Sequence, residues 1–99
     1  MSFRVIEDQA ASTVVLTGDI DLEHSPQART ALLATVKKGR AVVVDLSAVR
    51  YMDSSGVASL VEAFQRARAG NIEFSLLSPS DQVRKVLTLA RLDKIFTIK

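Results

Sequence analysis

The run Ala41-Val42-Val43-Val44-Asp45-Leu46 constrains this 99-residue chain more than any other feature. Three successive valines are stiff at χ1 and pack well on a pleated surface, so the run predicts a β-strand. It lacks the polar alternation of a half-exposed strand, which predicts a strand covered on both faces and central in its sheet. It is far shorter than the roughly 20 residues that cross a bilayer as a helix. The rest of the chain must therefore supply neighbouring strands and covering helices.

The flanking segments supply both. Phe3, Val5 and Ile6 begin an extended segment, followed by the polar pause Glu7-Asp8-Gln9. Thr13-Val14-Val15-Leu16-Thr17 reads as a second strand ending at Gly18. The two form a hairpin with its loop around Asp8 to Ala11. Ser25-Pro26 marks a helix start, with Ser25 as N-cap and Pro26 at the first helical position. Ala28, Ala31, Leu32 and Thr35/Val36 then recur at helical spacing, and Gly39 after Lys37-Lys38 is the expected C-cap.

After the central strand, Ser47 to Tyr51 reads as a connection. Asp53-Ser54-Ser55-Gly56 opens a second helix whose stripe is Val57, Leu60, Val61 and Phe64, ending at Gly70-Asn71. Ile72 to Leu77 is a fourth strand. Ser78-Pro79-Ser80-Asp81 opens a third helix, with Ser78 as cap, an acid three residues on, and a stripe of Val83, Val86, Leu87 and Ala90. Ile95 to Ile98 closes as a short strand. The order ββαβαβαβ over residues 1–99 predicts one α/β domain, a mixed β-sheet with helices packed over it. The strand–helix–strand units are expected to be parallel.

Composition narrows the function. Hydrophobic residues at 47% and charged residues at 24% are those of a globular chain rather than a disordered one. With no cysteine, disulfides, thiolate metal sites and a cysteine nucleophile are excluded. The start MSFRVIEDQA lacks a basic region followed by an apolar stretch, so no secretory signal is expected and the expected location is the cytoplasm. The 13 basic and 11 acidic residues are spread evenly, and one Tyr and four Phe are the only aromatics. A basic patch with stacking aromatics, the mark of a nucleic-acid binder, is absent.

The cluster Asp45-Leu46-Ser47…Asp53-Ser54-Ser55-Gly56 follows the central strand and opens a helix. Loops there, beyond the carboxyl ends of strands, often carry function. One account is purely local: Asp53 or Ser54 caps the helix, and Gly56 lets two elements approach. The other uses the same geometry. A serine in a first helical turn sits near free N–H groups and the positive end of the helix dipole, where a phosphate is tolerated.

Catalysis is poorly served. The Gly-x-Ser-x-Gly elbow is missing, and the one histidine, His24, is distant in sequence, although Asp21 and Glu23 could orient it. Asp19, Asp21 and Glu23 lack the glycine and twelfth-position glutamate of a calcium loop. Neither a Gly-x-x-x-x-Gly-Lys-Ser/Thr loop nor a Gly-x-Gly-x-x-Gly turn is present for a nucleotide. No cofactor or metal is expected.

The stretch from Val42 to Val57, with Asp45-Leu46-Ser47 and Asp53-Ser54-Ser55-Gly56-Val57, resembles the signature of STAS domains of the anti-sigma-factor antagonist family. Leu16-Thr17-Gly18-Asp19-Ile20-Asp21 is similar to that family's Leu-x-Gly-acid-Leu/Ile-Asp segment. Ser78-Pro79, the Val-x-x-Val-Leu helix and Leu92-Asp93-Lys94-Ile95-Phe96 are similar to its C-terminal third. The resemblance implies a small STAS fold and a phosphoacceptor at Ser55. It also implies a partner-binding surface around Asp21, His24, Asp53, Ser54, Gly56 and Val57. The implied partner is an anti-sigma factor with serine kinase activity that uses ATP and releases its sigma factor when this chain binds. Phosphorylation would end that binding, and a serine phosphatase would restore it, so this chain would be a kinase substrate and not an enzyme. The nearest rival within the fold is a soluble regulatory subunit of an ABC-type lipid transport complex. Such relatives tend toward Asp-Thr-Gly-Gly where this chain has Asp-Ser-Ser-Gly, which favours the antagonist.

Overall fold

The computed structural model describes all 99 residues, Met1–Lys99. Five strands form one sheet in the order β1-β2-β3-β4-β5: β1 Ser2–Glu7, β2 Ala11–Ile20, β3 Ala41–Met52, β4 Phe74–Leu77 and β5 Thr97–Ile98. The hairpin pair β1–β2 is antiparallel and every other neighbour is parallel. The hairpin turns where the polar pause places it: the Asp8 carboxylate accepts the Ala10 and Ala11 amides at 2.7 and 2.8 Å. Helices α1 (Ser25–Val36), α2 (Ser54–Ala69) and α3 (Asp81–Leu89) make the crossovers.

Strand β3 is central, but it is covered on one face only, contrary to the expectation of cover on both. Val42, Val44 and Leu46 are fully buried, whereas Ala41, Val43 and Asp45 are half-exposed. Successive parallel neighbours joined by right-handed crossovers keep their helices on one side of the sheet. The core follows from that geometry: Val14, Val44 and Leu76 lie in register across β2, β3 and β4 under Ala28 and Leu32 of α1, Leu60 and Ala63 of α2, and Val83 and Leu87 of α3. Phe64, Phe74 and Phe96 meet edge-on or tilted near the start of β4, with centroids 5.1 to 6.3 Å apart. They sit at the end of the sheet away from the Asp53 cluster.

Several local expectations change. Ser47 to Tyr51 is not a connection but the second half of β3, paired with Thr17–Ile20. Two register shifts, one opposite Leu16 and one opposite the Gly18/Asp19 step, each add a residue to β3. Each bulge re-aims the strand, so inward positions recur every third residue at Leu46, Val49 and Met52. Strand β2 likewise runs past Gly18 to Ile20, with Gly18 at φ +83.

Helix α1 is capped by His24 rather than Ser25, because a turn from Asp21 already receives the His24 and Ser25 amides on the Asp21 carbonyl. Gly39 takes the left-handed conformation at φ +78, two residues beyond the C-cap Lys37. Strand β4 starts at Phe74, not Ile72. Ser80, not Ser78, caps α3, since Ser78 sits at φ +48 and accommodates the turn out of β4. Ala90 is the exposed C-cap of α3 and not part of its buried stripe.

Candidate functional site

The site forms where β2 and β3 end and α1 and α2 begin. The Asp53 amide donates to the Ile20 carbonyl at 3.3 Å, which ties the two strand ends together. Asp53 is the N-cap of α2 in extended conformation. Its Oδ1 accepts from the Ser55 amide at 2.9 Å, the Gly56 amide at 3.3 Å and the Ser55 hydroxyl at 2.5 Å. The Ser55 hydroxyl, then the opposing effect of burial, then the backbone amides set its ionisation, and the net effect holds the carboxyl below its ordinary value. Ser55 is half-exposed and Ser54 exposed, so the first turn of α2 faces outward at both serines.

Gly56 explains how that turn sits so low on the sheet. A Cβ there would lie 2.7 Å from the Ile20 carbonyl oxygen and 2.7 Å from Cγ of Met52. Only glycine allows this approach. Gly56 and Val57 are buried, Val57 among the core side chains, so they shape the surface from beneath. Of the residues singled out from sequence, Asp21, His24, Asp53, Ser54 and Ser55 reach solvent at this end of the sheet.

Asp21 and His24 form a pair of their own. The His24 ring Nδ1 lies 2.7 Å from Asp21 Oδ1, and the same oxygen accepts the His24 amide at 3.1 Å. Burial resists ionisation of Asp21, but the ring and amide donors of His24 outweigh it and lower its pKa. The imidazole is thus directed at Asp21, while the Ser55 proton is directed at Asp53. That is not the serine-to-base hydrogen bond of a hydrolase. Asp19 is engaged by Arg50 through two bonds of 2.9 and 3.1 Å, so Asp19 and Asp21 turn to separate partners instead of converging on a cation.

Three supporting contacts were not apparent from sequence, because each joins residues about thirty apart. Gln82 of α3 accepts from the Met52 amide at 2.8 Å and donates to its carbonyl at 3.1 Å. Buried Ser59 reaches the carbonyls of Ser25 and Ser55 at 3.4 and 3.2 Å, joining α1 to α2. Arg29 grips Glu62 through two bonds of 2.7 Å. Asp45, singled out with the cluster, holds the first β3 bulge by accepting the Ser47 amide and hydroxyl at 2.9 and 2.7 Å.

Comparison with known proteins bears on this arrangement. The model of the family described as the STAS domain matches residues 2–99. The anti-sigma-B factor antagonist of Listeria monocytogenes is 33% identical over 87 residues, covering 87% of this chain and 76% of that protein. The anti-sigma factor antagonist SpoIIAA in its unphosphorylated form is similar in structure, with a TM-score of 0.81 at 23% identity over 99% of this chain and 88% of that one. SpoIIAA of Bacillus in its phosphorylated form gives a TM-score of 0.76 at 22% identity, over 99% and 91%. At those identities the two structures speak to the fold.

Proposed function

The chain belongs to the STAS domain family, and from that premise we propose that it is an anti-sigma-factor antagonist whose binding is ended by phosphorylation of Ser55. The observation that carries this reading is the placement of Ser55: half-exposed in the first turn of α2, its hydroxyl held by the cap Asp53, on a turn pinned to the sheet by Gly56. Such a serine can take up a phosphoryl group without refolding the domain. The partner is an anti-sigma factor with serine kinase activity, and a serine phosphatase resets the switch. The setting is the cytoplasm, where the nucleotide donor is found. No helix of the chain is long and apolar enough to cross a membrane.

The chemistry is a phosphoryl transfer to which this chain contributes the nucleophile. The Ser55 oxygen bonds to the γ-phosphorus of the partner's nucleoside triphosphate, the bond to the nucleoside diphosphate breaks, and the hydroxyl proton departs to a base on the partner. Asp53 fixes the direction of the hydroxyl beforehand. Its lowered pKa makes it an orienting acceptor rather than a strong base. The product carries about −1.5 to −2 charges at pH 7. A partner surface shaped for a neutral hydroxyl beside Asp21 and Asp53 must desolvate that charge without a cation of its own to meet it. A penalty of about 3–4 kcal/mol weakens binding by roughly two to three orders of magnitude. Rearrangement of the fold is not required.

Paired baits test the proposal. Ser55→Ala and Ser55→Asp proteins are used to capture partners from lysate of the source cells, and the difference is identified by mass spectrometry. The expected result is a kinase-like ATPase recovered with Ser55→Ala and lost with Ser55→Asp. Recovery of a transport ATPase with both baits would overturn the proposal and reduce Ser55 to a first-turn residue of the helix.

A further inference from the structure

Beside Ser55, between α1 and α2, opens a cleft of about 320 Å3 lined by Ser25, Arg29, Ser59 and Glu62 among others. Ser55, Ser59 and Glu62 are spaced i, i+4, i+7, so they share the face of α2 that meets α1. Arg29 is the one cation lining this cleft, and at rest its guanidinium is bound by Glu62 through two bonds of 2.7 Å. Glu62 has a second cation in reserve: Arg66 lies 3.9 Å from Oε2, one of the two oxygens that Arg29 holds. Arg29 can therefore leave without stranding Glu62.

A phosphoryl group on Ser55 removes the hydroxyl proton that now points at Asp53. The bridging oxygen then faces an ionised carboxylate with no proton between them, and the charged terminal oxygens are repelled by the same carboxylate. The cleft that Ser55 lines with Arg29 is open to the phosphoryl group on the side away from Asp53. We infer that Arg29 is a phosphate-capture residue: when Ser55 is phosphorylated, the Arg29 guanidinium leaves Glu62 and pairs with the phosphoserine, and Arg66 takes over Glu62. The planar fork that fits a carboxylate also fits a phosphate, and the phosphate carries more charge. The capture turns the modification inward, so α1 and α2 are tied together by the group that repels the partner. This inference rests on the phosphoswitch reading of Ser55.

The test installs phosphoserine at position 55 during synthesis of the full chain, so no kinase is needed. The Nε–H resonance of Arg29 and the phosphorus resonance are followed by NMR through a pH titration. The groups around the phosphate are Asp53 on its own turn, Asp21 and His24 at the head of α1, Arg29 across the cleft on α1, and Glu62 two turns along α2. In the captured state the Arg29 Nε–H resonance moves on phosphorylation. Arg29→Gln then raises the second pKa of the phosphoserine by about half a unit. Glu62→Gln, which releases Arg29 in advance, lowers it. An Arg29 resonance that stays in place, with the phosphoserine pKa unchanged in both variants, would overturn capture and leave the phosphate on the helix amides. A kinase that ignores Ser55 would count against the switch reading alone. A silent Arg29 beside an installed phosphoserine would count against capture alone.

Discussion

The Ser55 hydroxyl lies 2.5 Å from Oδ1 of Asp53, the same oxygen that accepts the Ser55 and Gly56 amides. One carboxylate oxygen thus caps α2 and fixes the direction of the proposed phosphoacceptor. The cap and the proposed switch are compatible accounts of the Asp-Ser-Ser-Gly segment, because the cap is what holds the serine in a defined position at the surface.

Removing that carboxylate has a stability cost of known size. Asp53→Ala is expected to destabilise the fold by about 1–2 kcal/mol in urea unfolding, and Asp53→Asn by less, since asparagine is also a good cap. The pH dependence follows from sign. The Asp53 pKa is lowered in the folded chain, so its contribution is present above the ordinary value of 3.8 and is lost as pH falls through the lower folded value. Glu7, Asp8, Asp19, Asp21 and Glu62 are shifted the same way, so stability declines in acid for the wild type. Asp53→Asn should decline less steeply over that range, and an unchanged slope would contradict the assignment.

Gly56→Ala is expected to destabilise the chain although alanine is the better helix former. The helix preference is worth about 1 kcal/mol in its favour. Against it, the new methyl would sit 2.7 Å from the Ile20 carbonyl oxygen, and backbone cannot swing aside as a side-chain tip can. Overpacking of this kind costs about 1–3 kcal/mol. The helix start must lift from the sheet, so the amide resonances of Ile20, Asp53 and Ser55 should all move. A stabilised Gly56→Ala protein would show that the approach is not tight.

The bulged half of β3 gives a contrast between neighbours. Val49 is 1% exposed, while Arg50 beside it is exposed and pairs with Asp19 at the surface. Val49→Ala should cost about 2 kcal/mol, as a core truncation does, and Arg50→Ala far less, as loss of an exposed ion pair does. If the segment were a connection, the two losses in urea unfolding would be alike and small.

That segment also marks where the sequence stopped being legible. Elements with a regular period were readable: the hairpin, the valine strand, and the stripes of α2 and α3 stand near where their spacing put them. Ser47 to Tyr51 was not, because two bulges turn a period of two into a period of three, and Leu46-x-x-Val49-x-x-Met52 carries no strand signal. Cap positions also slipped. Ser25 and Ser78 look like caps beside their prolines, yet the turn from Asp21 and the left-handed Ser78 shift both helix starts. At the site, Asp53, Ser55 and Gly56 were legible as a contiguous motif. Val57, which the resemblance counts in the partner-binding surface, is 8% exposed and packs in the core, where the α2 stripe puts it. Arg29–Glu62 and Gln82–Met52 join distant positions, and one sequence holds no trace of them.

Gln82 carries the last prediction. Strand β4 pairs with β3 only from Val42 to Asp45, so the far end of β3 has no strand beside it on that side. The side-chain amide of Gln82 takes that place, satisfying both backbone groups of Met52 from α3. Gln82→Ala leaves a half-buried N–H and C=O to find water, which costs about 1–3 kcal/mol. The loss should be local: amide exchange at Met52 should quicken by about tenfold or more, while that at Val44, deep in the sheet, follows only the global change. Gln82→Glu, which at neutral pH offers the acceptor but not the donor, should fall between wild type and Gln82→Ala. Equal protection of Met52 in all three proteins would mean that the end of β3 is held by its bulged pairing with β2 alone, and that α3 contributes only its apolar stripe.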